Sequence, residues 1–387
     1  MEHLHQSFTI KFEYNVYFTT GLFDTANTLF SDFLLKNNTA EVQRKIFFVV
    51  DSGVAEAHPE LNTQLKDYFY AHPGIQLIPD ILIVPGGEGV KNDPIYFEQV
   101  VEAVNTYGID RHSYIAAIGG GSVLDMVGYA AAVSHRGIKH IRIPTTVLSQ
   151  NDSGIGVKNG INYFGKKNFL GTFAPPVVVF NDDSFLLTLS DRDWRSGISE
   201  AIKVALIKDA EFFTWLENNA ALLVQRDMPT MNYLVWRCAQ LHIEHIASKD
   251  PFESGSSRPL DFGHWSAHKL EYLSNFEVRH GEAVAMGIAL DTVYSQLSGR
   301  LSVNDSNRVI KLLQNLGFDI IHPLLEVHRD DSPILTGFEE FREHLGGQLT
   351  IMLLTAIGVG EEVHEVDVEL LKQAGKLLHN LQHQQVQ

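Results

Sequence analysis

One glutamate and three histidines at or near helix beginnings give the second half of this 387-residue chain its clearest chemistry. Glu200 stands in the first helical turn after Ser196-Gly197-Ile198-Ser199, where a lone carboxylate most simply complements the helix dipole. In Asp261-Phe262-Gly263-His264-Trp265-Ser266-Ala267-His268 a helix would set His264 and His268 one turn apart on one face. That is usual metal-ligand spacing, although surface pairs share it. Arg279-His280-Gly281-Glu282 opens another apolar helix with a histidine at its start. One glutamate with two histidines leaves open positions for water or substrate, as a catalytic Zn2+ requires.

The first half offers two further features. Ile115 to Asp125 runs from an apolar strand through Gly119-Gly120-Gly121 into an Ala-rich helix. Exposed N–H groups and the positive end of the dipole there suit a pyrophosphate, and a Cβ would block its approach. The same turn also serves as a plain connection. Residues 144–158 read as a long, polar, Gly-broken loop after a strand, with Lys166-Lys167-Asn168 close behind. Asp152, Lys158, Lys167 and Asn168 suggest an anionic polyhydroxylated ligand, against the plainer reading of a solvated loop.

These groups need two kinds of scaffold. Apolar runs at 44–51, 81–85, 115–119, 138–144 and 177–180 alternate with helical segments, which implies a doubly wound α/β domain over 1–182. Ligands in such sheets bind beyond the carboxyl ends of strands, where Asp51, Glu88, the three glycines and Thr145 fall. Residues 8–19 read as a strand or hairpin edge. From 183 to 387 long helical patterns dominate, with a short strand at 349–354 and a frayed tail from His379. A net charge of −17 argues against nucleic acid as partner, and no apolar run reaches membrane-spanning length. The single cysteine and an N-terminus unlike a signal peptide suit a reducing, cytoplasmic location.

Together these motifs resemble the 3-dehydroquinate synthase family, the sugar phosphate cyclases, from about Asp51 to Gly358. The family's glycine turn is matched by Gly119-Gly120-Gly121 with Asp125, and its arginine eleven residues on by Arg136. Its Pro-Thr-Thr loop is matched by Pro144-Thr145-Thr146, followed by Asp152, Lys158, Lys167 and Asn168. Its metal glutamate and following lysine correspond to Glu200 and Lys203, and its Phe-Gly-His and His-Gly-Glu motifs to Phe262-Gly263-His264 and His280-Gly281-Glu282.

The resemblance implies a nucleotide-binding α/β domain and a helical metal-binding domain. It implies a cycle on one bound NAD+: oxidation of a ring hydroxyl, phosphate elimination, reduction, ring opening and aldol closure to a carbocycle. Glu200, His264 and His280 would hold Zn2+ or Co2+. Asp51, Glu88, Lys91, Gly119, Gly120, Gly121, Asp125, Thr145 and Thr146 would line NAD. Asp152, Lys158, Lys203 and His268 would serve catalysis, and Arg136, Lys167 and Asn168 the substrate. In the family that arginine comes from the neighbouring subunit, so a homodimer is implied.

Departures from the family cluster at the substrate end. A family lysine falls on Ile243 beside His242, an arginine falls on Ser257 beside Arg258, an asparagine becomes Asp261, and a lysine aligns with Arg342. Asp261 would disfavour a carboxylate substrate unless Arg258 compensates, which points to a divergent member using a neutral sugar phosphate. The alternatives are 3-dehydroquinate synthase proper, an iron-dependent alcohol or glycerol dehydrogenase, which shares the glycine turn, and a non-catalytic sugar-phosphate binder.

Overall fold

Segments such as Ile46 to Val50 and Ile115 to Ile118 are apolar at every position, which commits both faces of a strand to burial and favours parallel pairing. The computed structural model describes residues 3–36, 43–247, 252, 260–327, 332–338 and 349–383. The strands of the first half are β1 (Asn15–Thr19), β2 (Lys45–Asp51), β3 (Gln76–Val84), β4 (Tyr114–Gly119), β5 (Lys139–Pro144), β6 (Lys158–Tyr163), β7 (Lys166–Phe173) and β8 (Val178–Asp182). Six of them pair in the order β1-β8-β5-β4-β2-β3, every pairing parallel. All of β4 is buried, and each fully buried Val, Ile or Phe of this sheet contributes about 1.5–3 kcal/mol.

The described chain divides into two compact units, Met1–Thr145 with Gly156–Ser184 and Thr146–Ile155 with Phe185–Gln387. In the second, the helix Ile198–Lys208 buries every side chain from Ile198 to Ile207, Glu200 and Lys203 included. The helix His280–Leu297 buries every residue from Ala283 to Ser295. Around them lie the helices Ala210–Val224, Met228–Ile246, His264–Leu273 and Val303–Asn315. A two-stranded antiparallel ladder, β9 (Ile351–Ala356) with β10 (Val359–Val363), completes this unit's described strands. No helix among the described residues is long and apolar enough to cross a membrane.

Three local expectations change. Strand pairing begins only at Asn15, because Phe8, Ile10 and Phe12 stay exposed and gain nothing from extension into the sheet. The polar stretch after Pro144 is more ordered than a loop: Ser149–Ser153 makes a wide helical turn, and β6 and β7 form an antiparallel hairpin. The tail is not frayed up to residue 383, since Leu371, Ala374 and Leu378 are buried at helical spacing on the helix Val368–His383.

Candidate functional site

The second unit concentrates ionisable groups around one carboxylate. Glu200 is wholly buried, its Oε2 touches Lys203 Nζ one turn on, and neither oxygen has a well-formed hydrogen bond. Two histidine nitrogens face its other oxygen: Nε2 of His280 at 3.2 Å and Nε2 of His264 at 3.7 Å from Oε1. In both rings the far nitrogen is engaged. Nδ1 of His264 lies 3.0 Å from the Phe262 carbonyl, and Nδ1 of His280 lies 2.9 Å from Glu271 Oε2. An acceptor on Nδ1 places the proton there and leaves the Nε2 lone pair free to ligate. Glu200, His264 and His280 thus offer three ligand atoms within 4.8 Å of one another, and a buried carboxylate whose Oε1 has no well-formed hydrogen bond and faces two imidazole lone pairs fits a divalent ion. His268, Glu271 and His280 form a second such group that shares His280.

Backbone contacts bring these residues together. Gly263 takes a left-handed φ of +77°, and a Cβ there would come within 2.7 Å of Ile288 N on the helix His280–Leu297. A Cβ on Gly281 would come within 1.9 Å of the Ser196 carbonyl, so only glycine lets the start of that helix lie against the start of the Glu200 helix. Asp291 fastens the turn, accepting from Gly263 N at 3.0 Å and from Trp265 Nε1 at 2.9 Å. Burial pushes its carboxyl up to about 7 despite those two donors.

Charges alternate outward from Glu200. Lys203 Nζ lies 4.0 Å from Asp152 Oδ1, and the same oxygen lies 3.1 Å from His242 Nδ1. Burial alone would raise both carboxyls. Lys203 reverses this for Asp152 with help from His242, and holds Glu200 well below the usual range with help from His280 and His264. Lys203 in turn is raised: burial opposes its charge, but Glu200 and Asp152 outweigh that. Asp261, half-buried before the Phe262-Gly263 turn, is felt electrostatically by Lys203 and His264.

The first unit assembles a separate cluster. Gly120 caps the helix Gly121–Val133 without a side-chain cap of its own, its backbone N–H facing the Asp51 carboxylate, and Thr145 N donates to the Gly119 carbonyl at 3.1 Å. A Cβ on Gly119 would meet Asp51 Cβ at 3.0 Å, so the turn closes directly onto the end of β2. Asp51 accepts from Gly53 N at 2.8 Å and is pushed up by burial. Lys91 is buried, its ammonium 3.0 Å from Asp125 Oδ2, 3.6 Å from Glu88 Oε1 and in contact with Asn168 Oδ1. Glu88 accepts from Ser122 Oγ at 2.8 Å and Asn162 Nδ2 at 3.0 Å. Burial would raise Glu88, yet Lys91 and Lys167 hold it low.

Glu200, Lys203, Asp152, His264, His268, His280 and Asp261 therefore meet within the second unit. Thr146 belongs to that unit as well, its hydroxyl 2.8 Å from Ser149 Oγ. Lys91, Glu88, Asp125, Lys167 and Asn168 meet within the first. Arg136 is exposed at a left-handed turn of the first unit, φ +63°, with no ion-pair partner among the described residues. Lys158 opens β6, its carbonyl accepting from the fully buried Arg142 at 2.9 Å. Arg258 and Arg342 lie outside the described residues. Sequence patterns did not single out Glu271, Asp291, Asn162 or a role for His242. The one available signal was Glu271 at three residues from His268 on a common helix face.

Two family models match end to end: 3-dehydroquinate synthase N-terminal over residues 81–196 and 3-dehydroquinate synthase C-terminal over residues 197–332. A 3-dehydroquinate synthase of Acinetobacter baumannii (strain SDF) is 38% identical over 294 residues, 76% of this chain and 80% of that protein. Among solved structures, ValA (2-epi-5-epi-valiolone synthase) from Streptomyces hygroscopicus subsp. jinggangensis 5008, with NAD+ and Zn2+ bound, has a TM-score of 0.87 at 29% identity, over 98% of this chain and 100% of its own. A 2-deoxy-scyllo-inosose synthase complexed with carbaglucose-6-phosphate, NAD+ and Co2+ shares the fold, with a TM-score of 0.76 at 22% identity over 94% and 96% of the two chains. With both halves matched by the family's own models and a relative this similar over most of its length, the chain belongs to the 3-dehydroquinate synthase family of enzymes.

Proposed function

We propose that this chain is an NAD- and divalent-metal-dependent sugar phosphate cyclase whose substrate is a neutral sugar phosphate, eliminating phosphate and closing a carbocycle. The cofactors of ValA support the same pair here, with Zn2+ or Co2+ as the ion. When bound, NAD+ would take up and return a hydride while the ion polarises the hydroxyl being oxidised. Glu200, His264 and His280 would hold the ion, and the glycine turn at Gly119 to Gly121, with Asp51, Glu88, Lys91, Asp125, Thr145 and Thr146, would receive NAD.

The remaining roles follow from charge. Lys203 keeps Glu200 and Asp152 ionised side by side, so Asp152 can accept from a substrate hydroxyl. His268, 5.4 Å from His264 between ring centroids, would stand in the proton relay. Lys158, Lys167, Asn168 and Arg136 would take the leaving phosphate, Arg136 from a second copy in a homodimer, and Arg258 and Arg342 the rest of the substrate. The cytoplasm is the expected compartment, with no nucleic acid or membrane as partner.

The observation that carries the substrate class is Asp261, whose backbone carbonyl accepts from His264 N at 3.0 Å, so that a half-buried carboxylate stands directly before the candidate ligand turn. A substrate carboxylate about 4 Å from Asp261 would meet roughly 4 kcal/mol of repulsion at an effective dielectric constant of 20, whereas a hydroxyl would donate to it. The test is phosphate release with NAD+ and Zn2+ or Co2+ across sedoheptulose 7-phosphate, hexose phosphates and the heptulosonate phosphate of dehydroquinate synthesis. The expected result is phosphate without net NADH, with the neutral heptulose preferred. Accumulating NADH would indicate a dehydrogenase, and equal or better turnover of the heptulosonate would overturn the substrate class.

A further inference from the structure

The outer end of the charge chain in the second unit holds a histidine that none of the roles above uses. His242 lies on the helix Met228–Ile246, and its Nδ1 is a buried atom without a well-formed hydrogen bond. Its ion-pair partner among the described residues is Asp152, with Oδ1 3.1 Å away. A buried ring nitrogen needs a partner, and an ionised carboxylate can only accept, so Nδ1 carries the proton. Asp152 is thereby held from two sides, by Lys203 from the Glu200 helix and by His242 from a helix that contributes no metal ligand. The Asp152 side chain keeps 20% of its surface open and His242 15%, whereas Lys203 keeps 3% and Glu200 none. The accessible end of the chain is therefore the Asp152–His242 pair.

We propose that His242 is a positioning residue that pins Asp152 as an acceptor for substrate hydroxyls and so selects a polyol end over a carboxylate. The inference rests on the cyclase reading and names the feature of the substrate that this corner recognises. A carboxylate fixed with its free lone pairs outward takes hydroxyl donors and repels anions. Lys203 cannot hold Asp152 alone, because its ammonium is shared with Glu200 and stands 4.0 Å away.

Two measurements test this. The first needs no substrate. Nitrogen-15 spectra of histidine-labelled protein, with the His242 signal assigned by difference from His242→Asn, should show the Nδ1–H tautomer and its loss in Asp152→Asn. A ring protonated on Nε2 alone, or one indifferent to Asp152→Asn, overturns the pairing. The second compares kcat and KM for sedoheptulose 7-phosphate and the heptulosonate phosphate in His242→Asn, His242→Leu and His242→Lys, alongside Zn2+ affinity and melting temperature. Asn sets an N–H where Nδ1 stood and should stay within about fivefold of the parent. Leu should lose about 10- to 100-fold in kcat/KM on the neutral substrate at unchanged Zn2+ affinity. Lys should move the preference toward the heptulosonate. Equal losses in Asn and Leu, or a parallel fall in Zn2+ affinity, would make the residue merely structural and overturn the proposal. If the parent protein releases phosphate from neither sugar, the cyclase reading fails, and the tautomer measurement still decides the pairing.

Discussion

His280 gives its Nδ1 proton to Glu271 Oε2 at 2.9 Å, and that bond turns its Nε2 toward Glu200 Oε1 at 3.2 Å. Glu271 is buried, so it holds the ring without contributing to the solvated surface. Glu271→Ala should weaken Zn2+ affinity by about 10- to 100-fold, read by chelator competition, because a ring without its outer partner loses both orientation and basicity. Glu271→Gln keeps an acceptor and should fall only severalfold.

His264→Ala removes one of three ligand atoms and should abolish turnover together with most bound metal. Metal content by elemental analysis and phosphate release should fall together. Full activity at normal metal content in this variant would sink the metal assignment.

Lys203→Met leaves Glu200 and Asp152 buried near each other with their shared cation gone. Breaking a buried pair in this way costs about 3–5 kcal/mol, so the metal-free variant should unfold at markedly lower urea concentration. Saturating Zn2+ should restore part of the loss, since the ion supplies positive charge at Glu200.

Asp291 makes stability depend on pH in the less common direction. Its carboxyl is raised to about 7 in the folded chain from an ordinary value of 3.8, so between these the folded state binds the extra proton. The stabilisation from this group is complete below about pH 4 and is lost as pH climbs to about 7. Asp291→Asn should flatten that decline, measured as urea-derived stability from pH 4 to 7. It should also lower stability at pH 4, because an amide cannot accept from both Gly263 N and Trp265 Nε1.

The parallel sheet was legible in the sequence because it depends on local pattern, unbroken apolar strands; residue types at helix starts suggested a glutamate–histidine group, and the resemblance of the motifs picked out Glu200, His264 and His280, which the fold brings within reach of one another. The hairpin of β6 and β7 was not, since its Gly-broken, Lys- and Asn-rich strands look like loop until they pair with each other. The same limit hid the Asp152–His242 contact, where two ordinary polar positions stand ninety residues apart. Glu271 and Asp291 sit within helices whose composition gives no sign that a histidine ring or a glycine N–H needs them. The resemblance implied a place for Lys91 on the nucleotide side. That Asp125 and Asn168 both converge on it depended on three-dimensional pairing.

The excursion of Thr146–Ile155 into the second unit makes that unit discontinuous along the chain. Asp152 and Lys158, six residues apart, thus belong to different compact units. A gene cut at residue 185 would encode Glu200, His264 and His280 but not Asp152, and Lys203 would face Glu200 without the second carboxylate beside it. Inheritance of the two halves as interchangeable cassettes is closed to this fold unless the ten-residue insert travels too, so swapping the second unit between relatives needs three crossover points in place of one.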